Sequence, residues 1–505
     1  MMKSSIKYKN YDEIPIEVVQ QAEDMTKDSP YRQTFHIEAD SGYLNDPNGF
    51  SYYNGKYHMF YQWSPLRYLE NPERWYQGWY HLESKDMVHW ESIGAGLEPD
   101  TKFDSHGPYS GSAMVDKDQL LIFYTGNTRD SDWIRTPYQM IASMDKNGKI
   151  TKSDIPGFAG LIEGYTDHFR DPKIWKKNGM YYAIVGIQRK NKTGAAVVLK
   201  SQNASKWEVA GEVQTHYPEL GYMWECPDYF ELEGKGVLFF SPQGLEKQGT
   251  QYQNIYQTGY LIGETLDLEN LSFNHHGKFQ ELDLGFDFYA TQTLDTPDGR
   301  RILSAWMGLP EIEYPTEAYG YCGCLTIPRE LSLKNDKLLQ TPIKELQELR
   351  YGHKKIKKQL AANELFKYET GSIFEAELTV DLANTRGVLM SLRSDEQQKE
   401  KTTIHIDTDK KSIILDRSKS GKSFGTEYGT SRTIAQNIGN EVKMHIFMDQ
   451  TSIEIFINDG ESVASSRIFP NENQNYLFIE TLDGTSAIEV NYWKLKKAKE
   501  YINDK

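Results

Sequence analysis

Tyr43-Leu44-Asn45-Asp46-Pro47-Asn48-Gly49-Phe50-Ser51-Tyr52-Tyr53-Asn54-Gly55-Lys56-Tyr57-His58-Met59-Phe60-Tyr61-Gln62 reads as two devices in succession. The second half is a hairpin: aromatic strand formers at 50–53 and 57–61 flank Asn54-Gly55, a dipeptide that accepts the positive φ values of a tight turn. The first half aims a carboxylate. Pro47 steers Asp46 away from helical geometry, and Asn48-Gly49 offers a second turn, so a short acid stands at the mouth of a strand.

The pattern recurs. Ser110-Gly111-Ser112 leads into an apolar run at 120–126, Arg170-Asp171-Pro172 into 180–186, Glu225-Cys226-Pro227-Asp228 into 237–242, and Tyr289-Ala290-Thr291 into 301–306. From Asp46 through Ser110, Asp171 and Glu225 to Tyr289 the steps are 64, 61, 54 and 64 residues. A polar head followed by a two-strand hairpin at this period predicts a five-bladed β-propeller, in which each innermost strand brings its first residues to a shared funnel. Asp46, Asp171 and Glu225 are then expected in one pocket.

Working outward, residues 1–30 form an N-terminal extension whose Ile16, Val19, Ala22 and Met25 recur at helical spacing before Pro30. The propeller is placed at 31–339. Residues 340–358 are charged and are read as a linker with helical character. From 359 to 505 short runs of alternating apolar and polar residues, such as Phe374-Glu375-Ala376-Glu377-Leu378-Thr379-Val380, predict a β-sandwich with one wet and one buried face per strand. The expected class is all-β.

A formal net charge of −15 over 505 residues argues against nucleic acid or an anionic membrane as partner, since either requires a basic face. The N-terminus lacks the apolar core of a secretory signal, so a cytoplasmic location is expected. Three cysteines, Cys226, Cys322 and Cys324, are too few for a disulfide framework, and Cys322-Gly323-Cys324 supplies only two metal ligands. They are read as buried thiols, with no metal and no cofactor expected.

Glycosidic cleavage needs an acid to protonate the leaving oxygen and, for retention, a second carboxylate to attack the anomeric carbon. Glu225 sits between Trp224 and Cys226-Pro227, apolar neighbours expected to keep it protonated. Asp46 lies among amides expected to keep it ionised. Asn45, Gln62, Ser110 and Ser112 offer hydrogen bonds to sugar hydroxyls, and Trp79, Tyr289 and Trp306 offer flat faces for a ring.

Asn45-Asp46-Pro47-Asn48-Gly49, Phe60-Tyr61-Gln62, Tyr109-Ser110-Gly111-Ser112, Phe169-Arg170-Asp171-Pro172, Trp224-Glu225-Cys226-Pro227-Asp228 and Asp287-Phe288-Tyr289-Ala290 together resemble the successive signatures of the β-fructofuranosidase family, glycoside hydrolase family 32. The resemblance implies a retaining mechanism with Asp46 as nucleophile, Glu225 as acid and then base, and Asp171 stabilising the transition state through fructose hydroxyls. Asn45, Gln62, Trp79, Tyr109, Ser110, Arg170, Tyr289 and Trp306 are the implied fructose-binding residues. Tyr43-Leu44 and Trp79-Tyr80-His81-Leu82 depart from the family's usual Trp-Met or Trp-Ile and Trp-Gly-His-Ala, and residues 66–76 fit its pattern poorly.

Within the family, Met223-Trp224-Glu225-Cys226-Pro227-Asp228 and Cys324-Leu325-Thr326-Ile327-Pro328-Arg329 are similar to the bacterial intracellular branch that hydrolyses sucrose 6-phosphate. Free sucrose or short fructans are the alternative substrates, and a catalytically silent carbohydrate-binding propeller the remote one. A dianionic sugar phosphate entering so acidic a protein needs local cations. The candidates lie in loops after the second and third repeat hairpins: Arg129 and Arg135, then Arg189, Lys190 and Lys192. Arg135 is favoured, because Asp130 and Asp132 are expected to pair with Arg129.

Overall fold

A computed structural model describes residues 6–70 and 74–498; residues 71–73 of the divergent loop lie outside them. Five sheets form the propeller. Blade 1 is Gly42–Tyr53, Lys56–Ser64, Gly78–Ser84 and Trp90–Ala95. Blade 2 is Pro108–Asp116, Gln119–Arg129, Arg135–Met144 and Ile150–Lys152. Blade 3 is Tyr165–Lys177, Met180–Arg189, Gly194–Ser201 and Glu208–Glu212. Blade 4 is Met223–Leu232, Lys235–Gln243, Gly259–Gly263 and Gln280–Glu281. Blade 5 is Tyr289–Asp295, Arg301–Trp306, Arg329–Lys334 and Lys337–Pro342. Tyr321–Cys322, between the second and third strands of blade 5, pairs in parallel with Gly42 and Tyr43 and ties the last blade to the first.

Every innermost strand carries a bulge at the same phase, between Leu44 and Pro47, Pro108 and Gly111, Arg170 and Lys173, Glu225 and Asp228, and Tyr289 and Thr291. A bulge leaves residues outside the ladder and re-aims their side chains. Pro172 and Pro227 lie in these gaps, where a missing N–H removes no ladder bond. Asp171, Cys226 and Ala290 adopt φ of 69°, 47° and 52° there, a left-handed geometry unusual for residues with a Cβ and common where a site needs it.

The N-terminal helix is Ile16–Asp24, and of the expected stripe Ala22 is buried while Val19 and Met25 are partly buried against the core. Ile14, Val18 and Ala22 are inside, whereas Ile16 is 76% exposed. Both stripes have helical spacing and share Ala22, and the buried face is shifted so that Val18 takes the place of Ile16. Ahead of the helix, Ile6 and Lys7 pair in parallel with Arg74 and Trp75, and the Tyr11 ring packs on Trp63 and Tyr76.

The C-terminal sandwich has two sheets. One runs in the order Arg350–Leu360, Gly484–Leu495, Phe374–Asp381, Glu441–Asp449, Ser452–Ile457, Ser462–Arg467. The other runs Leu365–Glu369, Tyr476–Thr481, Gly387–Ser394, Lys401–Asp407, Ser412–Lys419, Ser431–Gln436. The segment expected as a helical linker is instead a turn of 3-10 helix, Lys344–Leu349, followed directly by the edge strand Arg350–Leu360. Its lysines mask the strand signal and protect an exposed sheet edge from further pairing.

The two units share a buried polar seam. His36 bridges Asp449 (2.8 Å) and Glu454 (2.9 Å) of the sandwich, and Arg329 of blade 5 reaches Glu454 (2.6 Å) and Asp283 (3.1 Å). Among the described residues no helix is long and apolar enough to cross a membrane.

Candidate active site

The bulges of blades 1, 3 and 4 turn Asp46, Asp171 and Glu225 toward one another at the propeller axis. The backbone N–H of Cys226 donates to Asp171 Oδ2 (3.1 Å), and its thiol lies 3.7 Å from Asp46 Oδ2. Arg170 binds the second and third acids together: Nε and one terminal nitrogen donate to Glu225 Oε1 (3.0 and 2.6 Å), and Nε stands 3.9 Å from Asp171 Oδ2. Below them the buried Lys173–Asp228 pair (3.0 Å) and the hydroxyl of Thr293, which donates to Asp228 (2.9 Å), join blades 3, 4 and 5. A cavity of about 560 Å³ lies elsewhere, lined by Phe50, Val115, Lys176 and Arg301, and holds none of the three acids.

Each carboxylate has its own neighbours. Asp46 accepts from Ser110 Oγ (2.5 Å) and Asn45 Nδ2 (3.1 Å); Ser110 accepts from Gln62 (2.9 Å), which accepts from Gln77 (3.0 Å). Burial nevertheless outweighs these donors and, with help from the Glu225 charge, pushes Asp46 up to about 6. Asp171 is also raised, by burial first and then by the charges of Glu225 and Asp46, against the pull of Arg170. The expected apolar setting of Glu225 is absent. Trp224 turns away to stack on Phe240 with centroids 4.0 Å apart, because alternate residues of a strand face opposite sides. Glu225 Oε2 accepts instead from Gln243 Nε2 (2.8 Å) and the Tyr289 hydroxyl (2.5 Å).

The array therefore contains Asn45, Gln62, Ser110, Arg170 and Tyr289 of the expected sugar-binding set. Tyr109 is half-buried, with the Arg135 guanidinium 5.8 Å from its ring centre. Trp79 is a correction: it is fully buried between Phe60 and Tyr124, its indole N–H donating to the Tyr109 carbonyl (3.2 Å), and so shapes the wall from behind. Trp306 is 2% exposed and packs edge-on against Tyr43, so it offers no open face; its Nε1 is buried without a partner among the described residues. Ser112 is spent on the Pro172 carbonyl and the Ile174 N–H of blade 3.

The structure separates the candidate cations Arg135 and Arg189. Arg189 departs from the expectation: it is locked in place by Glu212 (2.6 Å), Thr193 and the carbonyls of Gly194 and Pro218, leaving nothing for a ligand. Arg135 has no carboxylate partner among the described residues and a buried, unpartnered Nε. Its terminal nitrogen donates to His168 Nδ1 (3.4 Å), which also accepts from Arg170 (2.9 Å). Burial and the two guanidiniums lower His168 to about 4, so it is neutral near pH 7 with its proton on Nε2. The expected pairing of Arg129 is also absent, because Asp130 is occupied by the N–H groups of Asp132 and Ile134.

His168, Gln77 and Gln243 went unrecognised in the sequence. For Gln243 a signal existed: it ends the second strand of blade 4, two residues beyond the partner of Glu225, which puts its side chain on the same face.

The chain matches the N-terminal domain model of glycosyl hydrolases family 32 over residues 36–342 and the C-terminal one over 345–494. It is 41% identical to a sucrose-6-phosphate hydrolase of Staphylococcus xylosus, over 97% of this chain and 98% of that one. With the sucrose-6-phosphate hydrolase of Bacillus subtilis it shares 39% identity, over 95% and 97%. The solved structure of a sucrose-6-phosphate hydrolase from Lactobacillus gasseri superimposes with a TM-score of 0.88 at 35% identity, covering 97% and 98% of the chains. A β-fructofuranosidase of Bombyx mori does so with 0.81 at 31%, covering 97% and 100%.

Proposed function

We propose that this chain, which belongs to glycosyl hydrolases family 32, hydrolyses terminal β-D-fructofuranosides with retention, and that its substrate is sucrose 6-phosphate, cleaved to fructose and glucose 6-phosphate. The observation that carries the reading is the junction of the three bulges, where Cys226 touches both aspartates and Arg170 spans Asp171 and Glu225. Names of relatives at 39–41% identity over nearly the whole chain support the substrate. A cytoplasmic location goes with it, since a phosphorylated sugar is met inside the cell.

In this reading Asp46, ionised above about pH 6, attacks the fructosyl anomeric carbon. The C–O bond to glucose breaks while Glu225 gives its proton to the departing oxygen. Water then attacks the fructosyl ester, losing a proton to Glu225 and freeing Asp46. Arg170 and Tyr289 hold the Glu225 carboxyl in line. Asp171, kept neutral longer by burial, is suited to donate to or accept from the fructose hydroxyls. Asn45, Gln62 and Ser110 supply further hydroxyl partners, and Ser110 fixes Asp46 as well.

Nuclear magnetic resonance of the first-formed fructose tests the chemistry, since retention releases the β-anomer before mutarotation. Comparing kcat/KM for sucrose 6-phosphate and sucrose tests the substrate. Initial release of the α-anomer, or equal efficiencies on the two sugars, would overturn the respective half.

A further inference from the structure

Above the carboxylates, blade 2 and the N-terminal segment carry a group of cations. Lys7 lies with its ammonium against His106 Nε2 and over the rings of Trp75 (5.4 Å to centroid) and Trp133 (6.0 Å). Arg129 covers the same Trp133 ring (5.6 Å) and donates to that residue's carbonyl (3.0 Å). It is the cross-strand partner of Arg135, which continues through His168 and Arg170 to Glu225. Among the described residues none of Lys7, Arg129 and Arg135 forms an ion pair. In a chain of net charge −15, three neighbouring cations without an ion pair repel one another, and the Asp167 carboxylate only partly offsets the charge of Arg135. Burial and neighbouring cations lower His106 as well as His168, so both imidazoles stay neutral and add no competing charge. Trp133 sits 64% exposed at a φ of 65° in the turn that joins the two strands, its N–H donating to the Asp130 carbonyl (3.1 Å) and its ring edge-on to His106 (5.6 Å).

We propose that Lys7, Arg129 and Arg135 form a subsite for the phosphate of the leaving sugar, completed by the N-terminal segment. The inference rests on the substrate named above. Glu225 protonates the leaving oxygen, so the leaving sugar lies on its side of the pocket, and the contacts from Glu225 outward run to Arg135 and then Arg129. A phosphomonoester dianion there meets guanidinium forks suited to its oxygens, with Lys7 closing the group from the N-terminal segment and the Trp133 ring beside it. Residues 6–8 are thereby more than packing: the pairing of Ile6 and Lys7 with Arg74 and Trp75, and of the Tyr8 N–H with the Trp75 carbonyl (3.0 Å), delivers the ammonium to the rim.

The test compares kcat/KM on sucrose 6-phosphate and on sucrose for the parent, Lys7→Ala, Lys7→Arg, Arg135→Ala and Arg189→Ala, at about 20 mM and about 500 mM salt. One charge-assisted hydrogen bond lost predicts that Lys7→Ala and Arg135→Ala each lower the ratio of efficiencies about tenfold. Lys7→Arg keeps it, Arg189→Ala keeps it, and salt narrows the parent's preference. Glucose 6-phosphate, as a product inhibitor, should weaken about tenfold in the same two alanine variants. Lys7 is exposed, so its truncation does not threaten folding. A parent that prefers the phosphorylated sugar while Lys7→Ala and Arg135→Ala keep that preference within about twofold would refute the subsite and leave the substrate standing. A parent without preference would refute the substrate and the subsite together.

Discussion

Replacing Ser110 by alanine should move the acid limb of the pH–activity profile to higher pH. Asp46 stands at about 6 because burial opposes its charge, and the Ser110 hydroxyl at 2.5 Å is the largest influence acting the other way, ahead of Asn45 and Cys226. A hydrogen bond to a charged group contributes about 1.5–3 kcal/mol, which at about 1.4 kcal/mol per pH unit is about one to two units. The sign follows from the role: Asp46 attacks only when ionised, so removing a donor that favours the carboxylate makes the loss of activity begin at higher pH. In the profile of kcat/KM, which reports the free enzyme, the acid limb should rise from near pH 6 in the parent to between about 7 and 8 in Ser110→Ala. The plateau falls too, because Gln62 loses its acceptor. Ser110→Thr, which keeps the hydroxyl, should leave the limb close to its original place. An acid limb in Ser110→Ala within about 0.3 unit of the parent, or below it, would show that Asp46 does not set it.

Asp46→Asn and Glu225→Gln should each lower fructose release by more than about a thousandfold with little change in melting temperature, and only Glu225→Gln should partly recover on a fructoside with an activated aryl leaving group; activity of Asp46→Asn within about tenfold of the parent would remove it as nucleophile. His36→Gln should destabilise the protein by about 3 kcal/mol in denaturant unfolding near pH 6, the amount that corresponds to the rise of His36 from 6.5 to about 9. His36 is raised, so its contribution is complete below its unfolded value and fades as pH climbs through 9. Asp449 and Glu454 are lowered, so theirs is present above the usual carboxylate range and fades in acid. The deficit should therefore be widest between about pH 4.5 and 6.5 and narrow by pH 10; a deficit independent of pH would mean that His36 is neutral in the seam.

The propeller was legible because its signal is repetition. Five polar heads at intervals of 54 to 64 residues need no side-chain detail, and the Asn54-Gly55 turn and X-Pro pairs carry their own backbone preferences. The sandwich was legible where strands alternate, as in Phe374–Asp381, and lost where a strand is an edge dressed in lysine, as in Arg350–Leu360. Within the site, residue types next to the bulges were readable and side-chain direction was not. Glu225 was expected among its sequence neighbours Trp224 and Pro227, yet a strand sends adjacent residues to opposite faces, and Glu225 meets groups 18 to 64 residues away in Gln243, Arg170 and Tyr289. The same geometry explains Trp79 and Trp306, aromatic residues whose strands turn them into the walls.

What the sequence held most faintly was the bulge itself. Asp-Pro and Cys-Pro announce a break in pairing, and Pro108 precedes the one in blade 2, but Tyr289-Ala290 achieves the same break without proline, so no single residue type encodes it. Its recurrence in all five blades shows that the polar heads are a consequence of architecture: each innermost strand abandons its ladder at one level of the axis, and whatever side chain stands there is delivered to the same small volume. Three blades deliver acids, one delivers the serine that steadies Asp46, and one delivers the tyrosine that steadies Glu225. The two carboxylates assigned to bond breaking are thus each held by a blade other than their own. The relative placement of blades therefore sets both their geometry and the charge state of Asp46.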